Sequence, residues 1–298
     1  MREPRGVSSR RSAVVLVALA QLAVGAAAIF ARFALVGGGP LAISAARLAI
    51  GVVPIAALAA LRGRLRPIDG RTERRLLLAG LVLAAHFGTW IASLQHASVA
   101  ISTLLVCSVP VWSELWTVAR NRRVDVYAAV SVVGALVGVA IVVGVPDRGN
   151  TPLGIVLALL GAIAFAAYLL IVRGTDPRYD TVAVTARTYS IAAVALAVVA
   201  LLVRDPLPRS SDLHAWGGIV AMALISQLFG HTAMNAAVRV LSATVVATFT
   251  LLEPVFAAAL AAVLFHERLG PTTAIGATII FVAIGFALRA QPEALPDA

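Results

Sequence analysis

The chain of 298 residues has no lysine, a single cysteine and few charged residues of any kind. Charged residues make up 13% of the sequence and hydrophobic residues 60%, and the mean hydropathy is +0.95. A soluble domain of this length cannot bury so much apolar surface, so the composition excludes the soluble classes. The single Cys107 excludes an internal disulfide and a metal site built from several cysteines.

Motifs of known catalytic chemistry are also missing from the sequence. It has no His-Glu-x-x-His metal motif, no Gly-x-Ser-x-Gly nucleophile elbow and no phosphate-binding loop. We therefore expect no enzymatic activity, no catalytic residue, no metal site and no cofactor. A membrane-embedded enzyme is the alternative within this class, and it would change a solute chemically where a carrier would only move it.

Long apolar runs fill most of the chain. A helix of about 20 apolar residues crosses the hydrocarbon core of a bilayer, and a helix satisfies its own backbone groups in lipid. The sequence therefore predicts an all-α, polytopic membrane protein with ten transmembrane helices, called spans one to ten below. Their predicted bounds are 12–32, 41–61, 75–95, 97–119, 126–145, 152–172, 181–203, 215–237, 242–265 and 271–289.

The arginines are distributed unevenly between the predicted loops. With the N-terminus in the cytoplasm, seventeen of the 24 arginines fall on the cytoplasmic side, five fall on the other side, and Arg47 and Arg187 lie within spans. Because loops rich in arginine stay in the cytoplasm, we expect a protein of the cytoplasmic membrane with both termini inside. The same distribution accounts for the net charge of +10 without a nucleic-acid partner.

The two halves of the chain repeat each other. Four short matches recur in the same order at separations of 140 to 144 residues. They are Arg32 with Arg173, Ala46-Arg47 with Ala186-Arg187, Phe87-Gly88 with Phe229-Gly230, and Pro110-Val111 with Pro254-Val255. A repeat of five spans, an odd number, enters the membrane from the opposite side the second time. We therefore predict two inverted repeats, 1–146 with spans one to five and 147–298 with spans six to ten.

A carboxylate and a proline, Glu253-Pro254, stand side by side in the apolar span nine. Counted from Ser242, Glu253 lies roughly 16 Å into the span, near the middle of a hydrocarbon core that is about 30 Å thick. A charged group at that depth is costly and normally faces the protein interior or a water-filled cavity. Glu253 is therefore the first candidate for a residue that lines a path through the membrane.

The residues around Glu253 carry a family resemblance. The pattern consists of Glu253-Pro254-Val255-Phe256, Glu267-Arg268-Leu269, Gly276 and Gly285, with Gly25 and Arg47 in the first half. It resembles the EamA-type signature of the drug/metabolite transporter superfamily, over about residues 12–289. The resemblance implies ten helices in two inverted halves, a central cavity, and export or uptake of small metabolites. Val109 precedes Pro110 where the second half has Glu253, so a pair of carboxylates is not expected.

Polar side chains recur at helical spacing on three spans. They are His86, Thr89, Trp90 and Ser93 on span three, Thr103, Cys107, Pro110, Glu114 and Thr117 on span four, and Gln227, His231 and Asn235 on span eight. Lipid cannot satisfy such groups, so these stripes should face inward, where they either line a cavity or hold helices together. The candidate cavity-lining residues are Glu253, His86, Trp90, Gln227, His231, Asn235 and Arg47.

Prolines and arginines within the spans leave further alternatives open. Pro110 and Pro254 each lack the N–H that closes a helical turn, so each forms either a hinge or a static kink. Arg47 either snorkels to the surface or holds an anionic group of a substrate, whereas Arg187 is expected to be structural. Glu114 lies near the end of its span and is expected to form a surface ion pair.

Together these features predict a secondary transporter that exports small polar metabolites, amino acids or related compounds, by alternating access. The alternatives are a carrier of organic cations or drugs, an uptake permease, or, in a different class, a membrane sensor or a lipid scramblase. The expected partners are a small-molecule substrate and the lipid bilayer. Gly134-Ala-Leu-Val-Gly138 matches a close-packing motif, which leaves a homodimer contact and internal packing both open.

Overall fold

The computed structural model describes residues 9–64, 67–143, 151–265 and 271–290. This part of the chain contains no strand, and each of the ten predicted spans is helical. The spans are, in order, Arg10–Leu35, Pro40–Leu61, Gly70–Ser93, Val99–Val106 with Val109–Asn121, Val126–Val143, Pro152–Arg173, Thr181–Val203, Leu213–Ala237, Ala243–Phe249 to Glu253–Phe265, and Pro271–Ala287. Seven of them are long and apolar enough to cross a bilayer, and spans five, nine and ten contain shorter apolar helices. The chain is a polytopic, all-helical membrane protein.

Local sequence signals fix where the spans begin. Prolines stand at the first helical position of spans two, six and ten, where the missing N–H breaks no intrahelical bond. Polar side chains cap other spans: Asp69 accepts from the backbone N–H of Thr72, and Ser242 accepts from that of Val245. A cap of this kind satisfies backbone donors that the first turn of a helix leaves free. The predicted span boundaries are accordingly close to the observed ones.

The packing between spans has an internal two-fold pattern. Span three packs against span six in the way that span eight packs against span one, and spans two and seven, four and nine, and five and ten pair directly. Two inverted five-helix repeats produce this pattern, because each contact then has a counterpart in the other half. The predicted boundary between residues 146 and 147 lies outside the described residues and stays a prediction.

The close-packing motif of span five is used within the chain. A Cβ on Gly138 would lie 2.8 Å from the carbonyl oxygen of Gly276 and 2.7 Å from Ile280 of span ten. One helical turn away, a Cβ on Gly134 would meet Ala283 of the same span at 3.6 Å, an ordinary contact. The motif therefore brings spans five and ten together, as small residues do between membrane helices.

The two ends of the bundle lie at the same face. The guanidinium of Arg10, at the start of span one, donates to the carbonyl of Leu288, just after span ten. We call this the terminal face and the other side the opposite face. An even number of spans places the two ends in this way.

Contacts between loops join the two repeats at both faces. At the terminal face the hydroxyl of Tyr179 donates to Asp69 at 2.7 Å, and Arg64 lies 3.9 Å from Asp180. Hydrogen bonds from the N–H of Thr72, the Tyr179 hydroxyl and the Thr72 hydroxyl hold the pKa of Asp69 well below its usual range. We call the Tyr179–Asp69 hydrogen bond and the Arg64–Asp180 pair together the terminal-face contact.

At the opposite face Asp205, in the loop between spans seven and eight, caps the start of span two. Its Oδ2 accepts from the N–H groups of Leu41 and Ala42 at 2.7 and 2.9 Å. The N–H of Gly39 also donates to the carbonyl of Pro206 at 2.7 Å. We call these bonds the opposite-face contact. The opposite-face contact joins the start of span two to the loop that follows span seven. The terminal-face contact joins the start of span seven to the loop that follows span two. The two contacts are therefore related by the internal symmetry.

Four spans are interrupted in the middle of the bundle. Span one breaks at Ala26 and span four at Cys107-Ser108. Span nine tightens to a 3-10 turn at Thr250–Leu252, and span eight widens to a π-helix at Met222–His231. Pro110 and Pro254 follow the breaks in spans four and nine, as expected for a residue that removes a helical hydrogen bond. Irregular backbone at this depth is tolerated where it is buried in protein or lines a cavity.

Candidate functional site

A narrow cavity lies where these interruptions meet. Six spans contribute to its wall: one, three and four from the first repeat, and six, eight and nine from the second. The lining residues are Val24, His86, Trp90, Val106, Cys107, Val109, Phe165, His231, Thr250 and Glu253. Since spans one, three and four correspond to spans six, eight and nine in the repeat, the two halves contribute equally.

Glu253 lies on this wall, as its depth in span nine predicts. Its side chain is half-buried, and Oε2 lies 3.8 Å from the sulfur of Cys107. The corresponding residue of the first repeat is Val109, which also lines the cavity. Only one of these two symmetric positions therefore has a carboxylate. Gly25 of span one makes room beside it, because a Cβ there would lie 3.1 Å from the Glu253 carbonyl oxygen.

The breaks in spans four and nine face each other at the cavity. Pro254 cannot donate to the Thr250 carbonyl, and the sulfur of Cys107 lies 3.6 Å from that carbonyl oxygen. The backbone N–H of Glu253 donates to the Thr250 carbonyl in the 3-10 turn, and the thiol adds a second, weaker donor to the same oxygen. The predicted kinks at Pro110 and Pro254 are accordingly present as helix interruptions, and their role as hinges stays a prediction.

Two histidines and an aromatic cluster form another part of the wall. The ring of His86 stacks on Phe165 with 4.6 Å between centroids, and its Nδ1 lies 2.9 Å from the carbonyl oxygen of Gly161. Since a carbonyl oxygen only accepts, Nδ1 carries the proton and a neutral ring keeps Nε2 as an acceptor. His231 lies 6.3 Å from His86 between ring centroids, and its Nδ1 has no hydrogen-bond partner among the described residues.

Trp90 extends the same cluster along span three. Its indole ring is nearly parallel to the His86 ring, at an angle of 8° and a centroid distance of 6.1 Å. The indole Nε1 is buried without an acceptor in the described part of the chain. An indole N–H can only donate, so it is available to an acceptor on a solute.

Arg47 and Gln227 lie next to this cluster but not on the cavity wall. Arg47 is fully buried, and its Nε donates to Oε1 of Gln227 at 3.2 Å. Its Cζ lies 4.3 Å from the centre of the Phe87 ring and 5.9 Å from that of Trp90. Arg47 therefore points inward, and of the two alternatives for this side chain the structure excludes snorkelling.

Arg187, the counterpart of Arg47 in the second repeat, has the structural role predicted for it. Its guanidinium donates to Glu73 of span three at 2.6 and 3.0 Å. Both side chains are partly exposed, at 54% and 36%. This pair joins spans three and seven near the terminal face.

The polar stripe predicted on span eight is divided between three neighbours. Gln227 contacts Arg47, and His231 packs edge-on against Phe87 and Phe165. Asn235 donates from Nδ2 to Thr185 of span seven at 3.3 Å and does not line the cavity. The α-helical spacing that predicted a single stripe does not hold across the π-helix, where the turn is wider.

Other polar residues of the stripes hold helices together. Ser93 and Ser102 form a hydrogen bond of 2.7 Å between spans three and four. The predicted surface position of Glu114 is wrong: its side chain is buried and accepts from the hydroxyl of Thr244 in span nine at 3.3 Å. Such bonds stabilise membrane bundles by about 0.6 kcal/mol each on average.

Some cavity residues have no polar signal in the sequence. Val24 and Phe165 are ordinary apolar residues of spans one and six, yet both lie on the wall. Their separation is 141 residues, the same as between Arg32 and Arg173. The internal repeat therefore contained the information, since a position that lines the cavity in one half has a counterpart in the other. Glu267-Arg268-Leu269 of the family pattern lie outside the described residues.

Known proteins resemble this chain over almost its whole length. An uncharacterized transporter from Archaeoglobus fulgidus is 25% identical over 274 residues, which cover 92% of this chain and 95% of the relative. A crystal structure of a protein with 18% identity superposes with a TM-score of 0.75, covers 94% of this chain and 97% of its own, and shows a shared fold. The EamA-like transporter family matches twice, over residues 11–144 and 152–289. With six spans of its two repeats arranged around one cavity, the chain belongs to the EamA-like transporter family.

Proposed function

We propose that the protein is a secondary transporter that moves a small polar metabolite across the cytoplasmic membrane by alternating access. The observation that carries the proposal is the cavity between the repeats, to which each half contributes three corresponding spans. Inverted repeats around one central site can adopt two arrangements of similar energy, and each arrangement opens the site to a different face.

The contacts at the two faces supply the elements that must alternate. In this structure the terminal-face contact and the opposite-face contact are both formed. Breaking one and keeping the other would open the cavity to one side only. The interruptions at Pro110 and Pro254 provide bending points in the paired spans four and nine. With no nucleotide-binding motif in the sequence, gradients of solute or ions would supply the energy.

Amino acids or related compounds fit the chemistry around the cavity. Glu253 offers a negative charge to an ammonium group, and Arg47 offers a positive charge beside the same cavity. The rings of His86, Trp90 and Phe165 suit an apolar part of the solute.

We also propose that the terminal face is cytoplasmic and that the direction of transport is outward. The orientation follows from the seventeen arginines on the terminal side of the predicted topology. The outward direction rests on the family resemblance. The proposal includes no enzymatic activity and no nucleic-acid partner. A homodimer stays a prediction, and its contact would have to lie elsewhere than the Gly134–Gly138 motif, which packs against span ten.

A carrier of organic cations is the second candidate. One carboxylate among aromatic rings is an arrangement that attracts quaternary ammonium groups and other cations. Glu253 with Trp90 and Phe165 has this character. The two candidates differ in whether the solute also needs a negative group.

Transport by the purified protein in liposomes tests the proposal. The panel contains labelled amino acids, amines and quaternary ammonium compounds, offered with and without a pH gradient. We expect uptake or exchange of at least one zwitterionic amino acid above the rate of protein-free liposomes. If only permanent cations move, the cation carrier replaces the present proposal. If the protein moves no member under any gradient, or scrambles a labelled lipid instead, the transport proposal is wrong.

A screen in cells tests the direction. Cells that overproduce the protein are challenged with toxic analogues of amino acids, and the internal concentration of each analogue is measured. Resistance with a lower internal concentration is the expected result. Sensitivity with a higher concentration would show uptake and would overturn the outward direction.

A further inference from the structure

Arg47 carries a charge that no described acidic residue balances. Its side chain is 0% exposed, and no carboxylate of the described chain lies within 4.0 Å of it. The repeat shows what is missing. Its counterpart Arg187 pairs with Glu73, four residues after the cap Asp69, whereas Trp216 stands four residues after the corresponding cap Asp212. The first repeat thus keeps the arginine of this pair while its acidic partner is absent.

A buried cation without a counter-ion is expensive inside a membrane protein. The rings of Phe87 and Trp90 offset part of this cost through their negative faces, but they cannot accept a hydrogen bond in the plane of the guanidinium. Nη2 of Arg47 accordingly has no partner in the described structure. A charge kept under these conditions is a candidate for binding a ligand.

Three of the unpartnered atoms around Arg47 are of one kind. Nη2 of Arg47, Nε2 of Gln227 and Nε1 of Trp90 are all hydrogen-bond donors, and each is buried without an acceptor in the described part of the chain. Gln227 uses its oxygen to accept from Arg47, which leaves its NH₂ group free. Three free donors and a positive charge call for a ligand group that only accepts and carries a negative charge. A carboxylate has these properties, and its two oxygens match a guanidinium.

The local backbone of span two makes room for this arrangement. Gly51 faces Gln227, and a Cβ on Gly51 would lie 2.5 Å from Nε2 and 3.1 Å from Cδ of that side chain. Any other residue at position 51 would displace the amide from Arg47. The donors extend from the cavity wall, where Trp90 and His231 stand, to Arg47, whose Cζ is 5.9 Å from the Trp90 ring.

We propose that Arg47, Gln227 and Trp90 form a subsite for the carboxylate of the transported solute, so that the substrates are carboxylate-bearing compounds. The proposal rests on the transport function proposed above and names the group that the solute must carry. Glu253, on the wall of the same cavity, is then left for an ammonium group of a zwitterion. Neutral amides, amines and permanent cations lack the group that the subsite binds.

Matched pairs of solutes test the subsite in the wild-type protein. Proteoliposomes are loaded with leucine or threonine, and exchange is measured against the external amino acid and against its carboxamide. The carboxamide keeps the ammonium group and the side chain and loses only the negative charge. We expect the acid to exchange at least about tenfold faster, as the loss of a charge-assisted hydrogen bond predicts. Equal exchange of acid and carboxamide would overturn the subsite but leave the transport function standing.

Variants assign the preference to these residues. Arg47→Gln should reduce the ratio of acid to carboxamide exchange to near one, while Arg187→Gln, the counterpart arginine at the surface, should keep the wild-type ratio. Gly51→Ala serves as a second variant that leaves every charge in place, and by displacing the Gln227 amide it should lower the ratio severalfold. The subsite is wrong if the folded Arg47→Gln protein keeps the full preference for the acid over the carboxamide. If Arg47→Gln does not fold, Gly51→Ala alone decides, and an unchanged preference in that variant would overturn the subsite. If no solute moves in the wild type, transport itself has failed, and the subsite fails with it.

Discussion

Adding one methyl group at Gly138 should destabilise the protein, while the same change at Gly134 should not. Both glycines lie on span five and face span ten. At Gly138 the new Cβ would lie 2.7 Å from Ile280 Cγ1 and 2.8 Å from the backbone oxygen of Gly276. The backbone atom cannot turn away, so the two spans must separate. At Gly134 the new Cβ would make an ordinary contact of 3.6 Å with Ala283.

The pair of variants isolates the packing term. Both substitutions change helix propensity by the same amount, so propensity cancels in the comparison. Overpacking of a well-packed site costs about 1–3 kcal/mol, and this is the expected difference in free energy of unfolding between Gly138→Ala and Gly134→Ala. Each kcal/mol lowers a thermal midpoint by on the order of 2–4 °C in chains of more than 150 residues.

Thermal unfolding of the purified protein in detergent measures this difference. Gly138→Ala should unfold several degrees below the wild type, and Gly134→Ala should unfold at the wild-type temperature or above it. Equal midpoints for the two variants would refute the contact between spans five and ten. A loss of oligomer without a loss of stability would show that the motif serves a homodimer.

Further outcomes follow from the cavity and the faces. Glu253→Gln keeps the shape of the side chain but cannot release a proton, so the variant should lose the pH dependence of transport in liposomes. The control Glu114→Gln should keep it. A pH dependence that survives in Glu253→Gln would show that Glu253 takes no part in proton coupling. Pro254→Ala restores the N–H that a regular α-helical turn needs at this position, so it should straighten span nine and slow exchange, and unchanged exchange would exclude a hinge. Asp69→Asn should lower the midpoint equally at pH 5 and pH 8. The pKa of Asp69 is lowered in the folded protein, so its stabilisation is complete above the unfolded pKa and is lost only at lower pH. A midpoint change that grows between pH 5 and pH 8 would contradict the assignment.

The hydropathy and charge of the sequence predict most of the architecture. The spans follow from runs of apolar residues, and their inversion follows from an odd-numbered repeat, because in a bilayer few other solutions satisfy the backbone. The interruptions could be predicted only where proline causes them, at Pro110 and Pro254. The π-helix of span eight has no proline and no glycine before Gly230, so a regular helix was the natural expectation there.

The candidate site was predicted in part, and the failures have a physical cause. Glu253, His86, Trp90 and His231 reach the cavity because polar groups at membrane depth must face inward. The same rule does not tell which inward neighbour a side chain meets. Asn235 bonds to Thr185 of span seven instead, a contact that depends on how spans seven and eight pack.

Arg47 shows another limit of the sequence. Depth in the span left two orientations open, and the contact with Gln227, 180 positions along the chain, decides between them. Such a contact depends on the full fold. The glycine that permits it, Gly51, is indistinguishable in the sequence from the other glycines of the spans.

The most direct test of alternating access uses the single native cysteine. Cys107 lies on the cavity wall at the break in span four and is 1% exposed in this structure, in which the terminal-face and opposite-face contacts are both formed. A membrane-impermeant methanethiosulfonate reagent is applied to intact cells and, separately, to inside-out vesicles, with Cys107→Ser as the background. We expect modification from both sides, slowed in each case by a transported solute. Modification from one side only, under every gradient and solute, would contradict a cavity that opens alternately to the two faces.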